Sequence, residues 1–280
     1  MHDIADPYFS SIAAGVTLAA DHANLAVTLA STQHDPSREP TLVGLLTRQR
    51  VRAIVIAGGR RGDALGYADM RSALNRFLRS GGSVAVIGQP MFDVNTVVIG
   101  NQSGAAALAR ALHSRGYRRF GILAGPADHL TAQDRSTGFA ATLAELGSPC
   151  DPAAKVPSEF TRDGGYEAMK RLLTGGPGVE VVFAVNDVMA VGAMAAARDL
   201  GVSVPNTVGV AGFDDIVNLR DITPALTTVR VPLVEAGITA TKLALAAPTG
   251  ERRLTHVETT VVLRESTPGP SRKMRRIRMR

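Results

Sequence analysis

The sequence has no tryptophan, and aromatic residues occupy only 4% of its 280 positions. Any core must be filled by valine, isoleucine, leucine and alanine, a mixture suited to parallel sheets covered by helices. There is one cysteine, Cys150, so no internal disulfide can form. It follows Gly147, Ser148 and Pro149, which read as a loop, and neither metal spacing nor a nucleophile's partners surround it. No apolar run nears the roughly 20 residues of a membrane-spanning helix. The start, Met1-His2-Asp3-Ile4, lacks the basic stretch and apolar core of a secretion signal. A cytoplasmic protein without membrane contact is the expectation.

Catalytic signatures are missing too. There is no Gly-x-Gly-x-x-Gly at a strand–helix junction, no phosphate loop ending in Gly-Lys-Ser/Thr, and no Gly-x-Ser-x-Gly elbow. His2, His22, His34, His113, His129 and His256 are scattered without metal spacing. The acid pair Asp214-Asp215 can in principle do acid–base work, but binding clefts use the same residue types without chemistry. No catalytic residue, metal or cofactor is assigned, and the chain is not expected to be an enzyme.

What is present is a long run of apolar blocks. Apolar residues make up 45% of the chain, and its length suits two α/β lobes. The net charge of +6 is a local feature. Arg272, Lys273, Arg275, Arg276, Arg278 and Arg280 account for all of it, so residues 268–280 read as a disordered basic tail rather than a basic surface.

Short apolar runs that read as buried strands begin at Ala53, Val84, Thr96, Phe120, Val181 and Val208, with Leu25 to Ala30 a weaker example. Helical segments alternate with them: Tyr8 to His22, Asp35 to Gln49, Tyr67 to Arg79, Ser103 to Ser114, Ala132 to Leu146, Asp163 to Leu173, Asp187 to Leu200 and Leu233 to Ala246. This alternation means a doubly wound α/β fold, and its length means two sheets. Such folds bind ligands beyond the carboxyl ends of their strands. That singles out Gly100-Asn101, Gly125-Pro126, Asn186-Asp187 and Phe213-Asp214-Asp215.

At these points the sequence resembles the lactose-repressor/galactose-repressor (LacI/GalR) family. The resemblance is carried by Asp6-Pro7-Tyr8-Phe9, by Gly116-Tyr117-Arg118-Arg119 with Ile122 to Pro126, and by Asp134-Arg135 with Gly138-Phe139. It continues through Phe183 to Asp187, Gly212-Phe213-Asp214-Asp215, Leu226 to Val229 and Arg264-Glu265-Ser266-Thr267. It covers residues 4 to about 267. The resemblance implies two doubly wound parallel-sheet lobes joined by three crossovers, of the periplasmic-binding-protein type I. Lobe one would take 1–116 plus 233–248, and lobe two 117–232 plus 249–267. A small sugar-like or nucleoside-like effector would bind in the cleft.

Six residues are expected to meet that effector: Tyr8, Phe9, Arg135, Phe160, Asn186 and Asp214. Asp214 can accept from vicinal hydroxyls, or act as a helix cap. Arg135 can offer a guanidinium fork, or pair with Asp134 on the surface. Asn186 suits a hydroxyl-rich ligand, or caps the helix after its strand. Tyr8, Phe9 and Phe160 offer stacking faces, one of the first two turning into the core. Asp187 and Asp215 read as structural. Gly100 and Tyr117 depart from the family, which often has Asp and His there; the first change removes a polar anchor.

The family's DNA-reading head and first strand precede the point where this chain starts. Operator DNA would be met only through that missing head, and a central strand of lobe one would be lost. A homodimer is implied, with the helices near 8–22 and 67–79 as its candidates. The alternatives are a solute-binding protein of a sugar transporter, an α/β enzyme acting on a sugar or nucleoside, and a headless subunit that poisons intact repressors.

Overall fold

In the computed structural model of the chain, residues 5–33, 35–60, 62, 66–247 and 251–270 are described. The chain forms two compact units and changes from one to the other three times. The first holds residues 1–99 and 232–258, the second 100–231 and 259–280.

The first unit opens with α1 (Pro7–Asp21). Asp6 caps it by accepting from the Tyr8 N–H at 2.9 Å, and Pro7 sits in the first turn. A 3₁₀ turn capped by Asp35 leads into α2 (Glu39–Arg48). Then come β1 (Ala53–Ala57), α3 (Tyr67–Arg79), β2 (Ser83–Ile87) and β3 (Asn95–Ile99). The returning segment adds α8 (Leu233–Leu245) and β9 (Leu254–Val257). The four strands are parallel, in the order β1-β2-β3-β9. Ile54, Ile56, Met70, Leu74, Phe77 and Val86 form the centre of this core. Helices α1 and α8 lie backbone to backbone, because a side chain at Gly15 would run into Val234 and one at Gly237 into Ile12.

The second unit contains α4 (Asn101–Ser114), β4 (Phe120–Gly125), α5 (Leu130–Glu145), β5 (Lys155–Pro157), α6 (Arg162–Gly175), β6 (Val181–Ala184), α7 (Asp187–Asp199) and β7 (Gly209–Ala211). Its parallel sheet runs β5-β4-β6-β7. Strands β8 (Thr228–Arg230) and β10 (Thr260–Val262) make an antiparallel ribbon. Parallel bridges Ala211–Thr227 and Asp214–Arg230 tie that ribbon to the end of β7. Polar residues start the helices as the sequence requires: Thr161 caps α6 and Asn186 caps α7.

The doubly wound fold is as expected, but four local expectations change. Leu25 to Ala30 forms no strand, because a strand needs a hydrogen-bonded neighbour and no strand lies beside it. Helix α4 belongs to the second unit, not to lobe one, because it packs along α5. The segment at 254–257 belongs to the first unit, because β9 pairs with β3. The expected tail begins too early. Ser266 and Thr267 are fully buried, and the Gly269 N–H donates to the Tyr117 hydroxyl at 3.1 Å. Residues 271–280, which carry the basic charge, and Met1–Ile4 lie outside the described residues.

Candidate functional site

The polar residues of the second unit gather where β4, β6 and β7 end, as parallel α/β sheets dictate. Gly125 closes β4 at φ 70°, a conformation glycine adopts without strain, and Ala132, Phe160 and Val185 crowd the space a side chain would need. The chain then turns into α5, whose start is capped by His129 accepting from the Ala132 N–H.

One turn into α5, Arg135 points inward and is 1% exposed. Its Nε donates to Asn101 Oδ1 at 2.9 Å, one terminal nitrogen to the Val185 carbonyl at 2.9 Å, and the other to Asp214 Oδ1 at 2.7 Å. The guanidinium also lies 3.9 Å from the centre of the Phe213 ring. A buried charge is stable only when paired and hydrogen-bonded, and every group around Arg135 answers that need.

Asp214 is held as firmly. Its N–H donates to Val229 O at 2.8 Å, and its carbonyl accepts from Val231 N–H at 3.2 Å. These bonds pin it at φ 121°, a strained region for any residue but glycine. Asp215 follows at φ 57°, and its carboxylate takes Arg230 and Arg264, each at 2.6 Å. Asp187 lies beneath both acids. It accepts from the Ile216 N–H at 3.0 Å and the Thr228 hydroxyl at 2.6 Å. Burial, and then the charge of Asp214, push its carboxyl up to about 8. Gly212 has no side chain because the Asp187 carboxylate fills that space.

The six expected contact residues separate clearly. Arg135 and Asp214 come together, and Arg135 pairs with Asp214 rather than with Asp134 on the surface. Phe160 is half-buried and stacks on His129 with ring centres 4.7 Å apart. Asn186 spends its side-chain oxygen on the Met189 N–H at 2.9 Å, so its capping alternative is the one the structure shows. Tyr8 and Phe9 belong to the first unit. Phe9 is buried and Tyr8 half-buried, their rings edge to face at 5.0 Å.

Three members of the cluster were not in that set: Asn101, Phe213 and His129. Asn101 and Phe213 stand in the post-strand loops the sequence singled out, but nothing local shows that both serve Arg135. His129 was legible as a cap candidate four residues beyond Gly125. Tyr117 proves structural: it is fully buried, with its hydroxyl holding Gly269.

Among the described residues, no group of three His, Cys, Asp or Glu side chains is placed to hold a metal. Nor is any described helix long and apolar enough to cross a membrane. Burial raises the Cys150 thiol to about 11, so it is not a nucleophile at neutral pH.

Two parallel-sheet units joined by three crossovers, one with charged residues at its strands' carboxyl ends, define a periplasmic-binding-protein-like core. The model of the periplasmic binding protein-like domain family matches residues 109–267. The HTH-type transcriptional regulator GalR of Salmonella typhimurium is 31% identical, over 96% of this chain and 78% of its own length. The HTH-type transcriptional regulator DegA of Bacillus subtilis is 28% identical, over 90% and 73%. Among solved structures, a transcriptional regulator CelR–cellobiose complex matches with a TM-score of 0.82 and 28% identity, over 94% of this chain and 80% of that one. The chain belongs to the LacI/GalR family of transcriptional regulators. Its relatives are regulators, not transport components, and the effector-binding core of such a regulator is what this chain provides.

Proposed function

We propose that the chain senses a small hydroxyl-rich metabolite, a sugar or nucleoside, at the carboxyl end of the second unit's sheet. The observation that carries this reading is the buried Arg135–Asp214 pair at 2.7 Å, on a backbone held in strain. Strain and a buried ion pair both cost stability, and such features collect at ligand sites. A fork of N–H donors beside a carboxylate matches neighbouring hydroxyls, which donate and accept at once. Phe160, braced by His129, offers a flat apolar face for a ring. The cellobiose bound by one relative is a ligand of this chemistry.

Tyr8 and Phe9 are proposed to contribute to effector binding from the first unit. Binding is proposed to leave the ligand unchanged. It acts by favouring one of two conformations, to the extent that the effector binds them unequally. The regulator is proposed to work in the cytoplasm as a homodimer, meeting operator DNA through a helix-turn-helix of the kind for which its relatives are named.

A thermal-shift screen over sugars, sugar phosphates, nucleosides and purines tests the reading. A true effector raises the melting temperature with its excess over Kd. It is recovered intact by mass spectrometry, and its affinity falls at least 100-fold with Asp214→Asn. A hit unaffected by Asp214→Asn, or consumed on incubation, overturns the proposal.

A further inference from the structure

In the first unit, β1 is the outer strand of its sheet, with β2 on one side only. The hydrogen bonds at its two ends show which groups face outward. Ser83 N–H donates to the Arg52 carbonyl, and Gly58 N–H donates to the Ile87 carbonyl. Backbone groups alternate sides along a strand. Residues 52, 54, 56 and 58 therefore serve β2, and Ala53, Val55 and Ala57 direct their N–H and C=O groups away from it.

Those groups face a groove of about 260 Å³, lined on its far side by Leu25 to Ala30. Ala26 to Leu29 make no backbone hydrogen bond among the described residues. Apolar side chains of two helices, Ile12 and Val16 from α1 and Leu42 and Leu46 from α2, complete the lining. Thr32, at one end, has a buried hydroxyl without a partner. A buried row of backbone donors and acceptors is costly if left unpaired. A groove with backbone on both long walls and apolar side chains around them has the chemistry of a missing strand.

We propose that this groove binds an extended apolar peptide segment of about five residues, which pairs with β1 and completes the sheet. Its length follows from the five residues of β1. Its direction is parallel, like β2 and β3. Its side chains are β-branched and apolar on both faces, because helices line the groove as they do for the other buried strands. Recognition is by strand addition: main-chain bonds give affinity and the apolar lining gives selectivity. A fatty acyl chain would match the lining but not the backbone groups.

The probe is a capped peptide of five alternating valine and isoleucine residues with a lysine at each end for solubility. It is titrated into the ¹⁵N-labelled chain while amide exchange is followed by NMR. Before addition, Ala53, Val55 and Ala57 should exchange at least tenfold faster than Ile54 and Ile56. With peptide bound, the three fast amides should slow by tenfold or more, and the other two should hold. The same peptide N-methylated on alternate residues, so that it cannot bond to β1, should leave all five unchanged. Three results overturn the proposal: equal protection of all five amides before addition, binding of the peptide without selective slowing, or equal binding of the N-methylated peptide. If decanoate raises the melting temperature while the peptide does not, the groove is an acyl site.

Discussion

The outer strand β7 of the second unit runs on into bridges with Thr227 and Arg230, so its sheet edge is covered by its own chain. The outer strand β1 of the first unit borders a groove instead. The second unit also concentrates buried charge, with Arg135, Asp187 and Asp214 within one cluster, whereas the first unit's centre is apolar. A sheet whose backbone is fully paired can carry the cost of strained and charged groups at one end. A sheet with an open edge has less to spare. Damage to the second unit should therefore be severe and tied to its polar cluster, and damage near the groove mild until the groove is filled.

The largest effect is expected at Arg135. Arg135→Ala removes three hydrogen bonds and leaves Asp214 buried without its cation. Breaking a buried pair by deleting one partner costs about 3–5 kcal/mol. Urea unfolding followed by circular dichroism should show that loss, and Arg135→Lys should recover only part of it, since an ammonium cannot reach three acceptors in a plane. A loss below about 1 kcal/mol would mean the cluster is wet and the contrast between the units is false.

Helix packing gives the next contrast. At Gly192 in α7 a side chain would strike the Arg162 carbonyl of α6. Gly192→Ala should cost about 1–3 kcal/mol through overpacking. At Gly44 in α2 the nearest atom is the end of the Arg48 side chain, 3.9 Å away. Gly44→Ala should stabilise by about 0.5–1 kcal/mol, the helix-propensity difference. Two thermal melts decide it, and the signs must be opposite.

This contrast also marks how far the sequence could be read. The helices and the buried strands after Ala53, Val84, Phe120 and Val181 were legible, because periodicity and caps are local signals. Arg135 and Asp214 were legible because post-strand loops of α/β sheets gather ligand groups. The pairing of Leu254–Val257 with β3 was not, because a four-residue strand with two exposed positions has no periodic signature. Leu25 to Ala30 has the composition of a strand, but composition cannot supply the neighbour that would make it one. Asn186 had two readings, ligand contact and cap, that use the same oxygen, and only coordinates could separate them.

The polar cluster also gives the second unit a pH signature that the first lacks. The Asp187 carboxyl is raised from 3.8 to about 8 in the folded chain. Between those values the folded form holds a proton that the unfolded form has released. Stability from this group is complete below pH 4 and is lost as pH rises through about 8. Asparagine in its place can still accept from Ile216 and bond Thr228 without titrating. Asp187→Asn should flatten the fall in melting temperature between pH 5 and pH 8, measured against the parent chain in the same buffers. A parent curve that rises over that range with a slope Asp187→Asn does not alter would show Asp187 to be ionised throughout.

The smallest effect is expected at the groove, and its smallness is the point. Leu29 lines the groove yet is 43% exposed. In the chain alone, Leu29→Thr gives up little buried surface, so the stability change should stay within about 0.5 kcal/mol. With the valine–isoleucine peptide in place, Leu29 becomes a wall of a filled core, and the lost apolar contact is worth about 1–2 kcal/mol. Peptide affinity should then fall about 5- to 30-fold while the melting temperature of the free chain holds. Because Leu29 is far less buried than the residues around Arg135, only an occupied groove makes it count. A variant that weakens the free chain as much as the complex would show the wall already packed, and the open edge of β1 would no longer distinguish the two units.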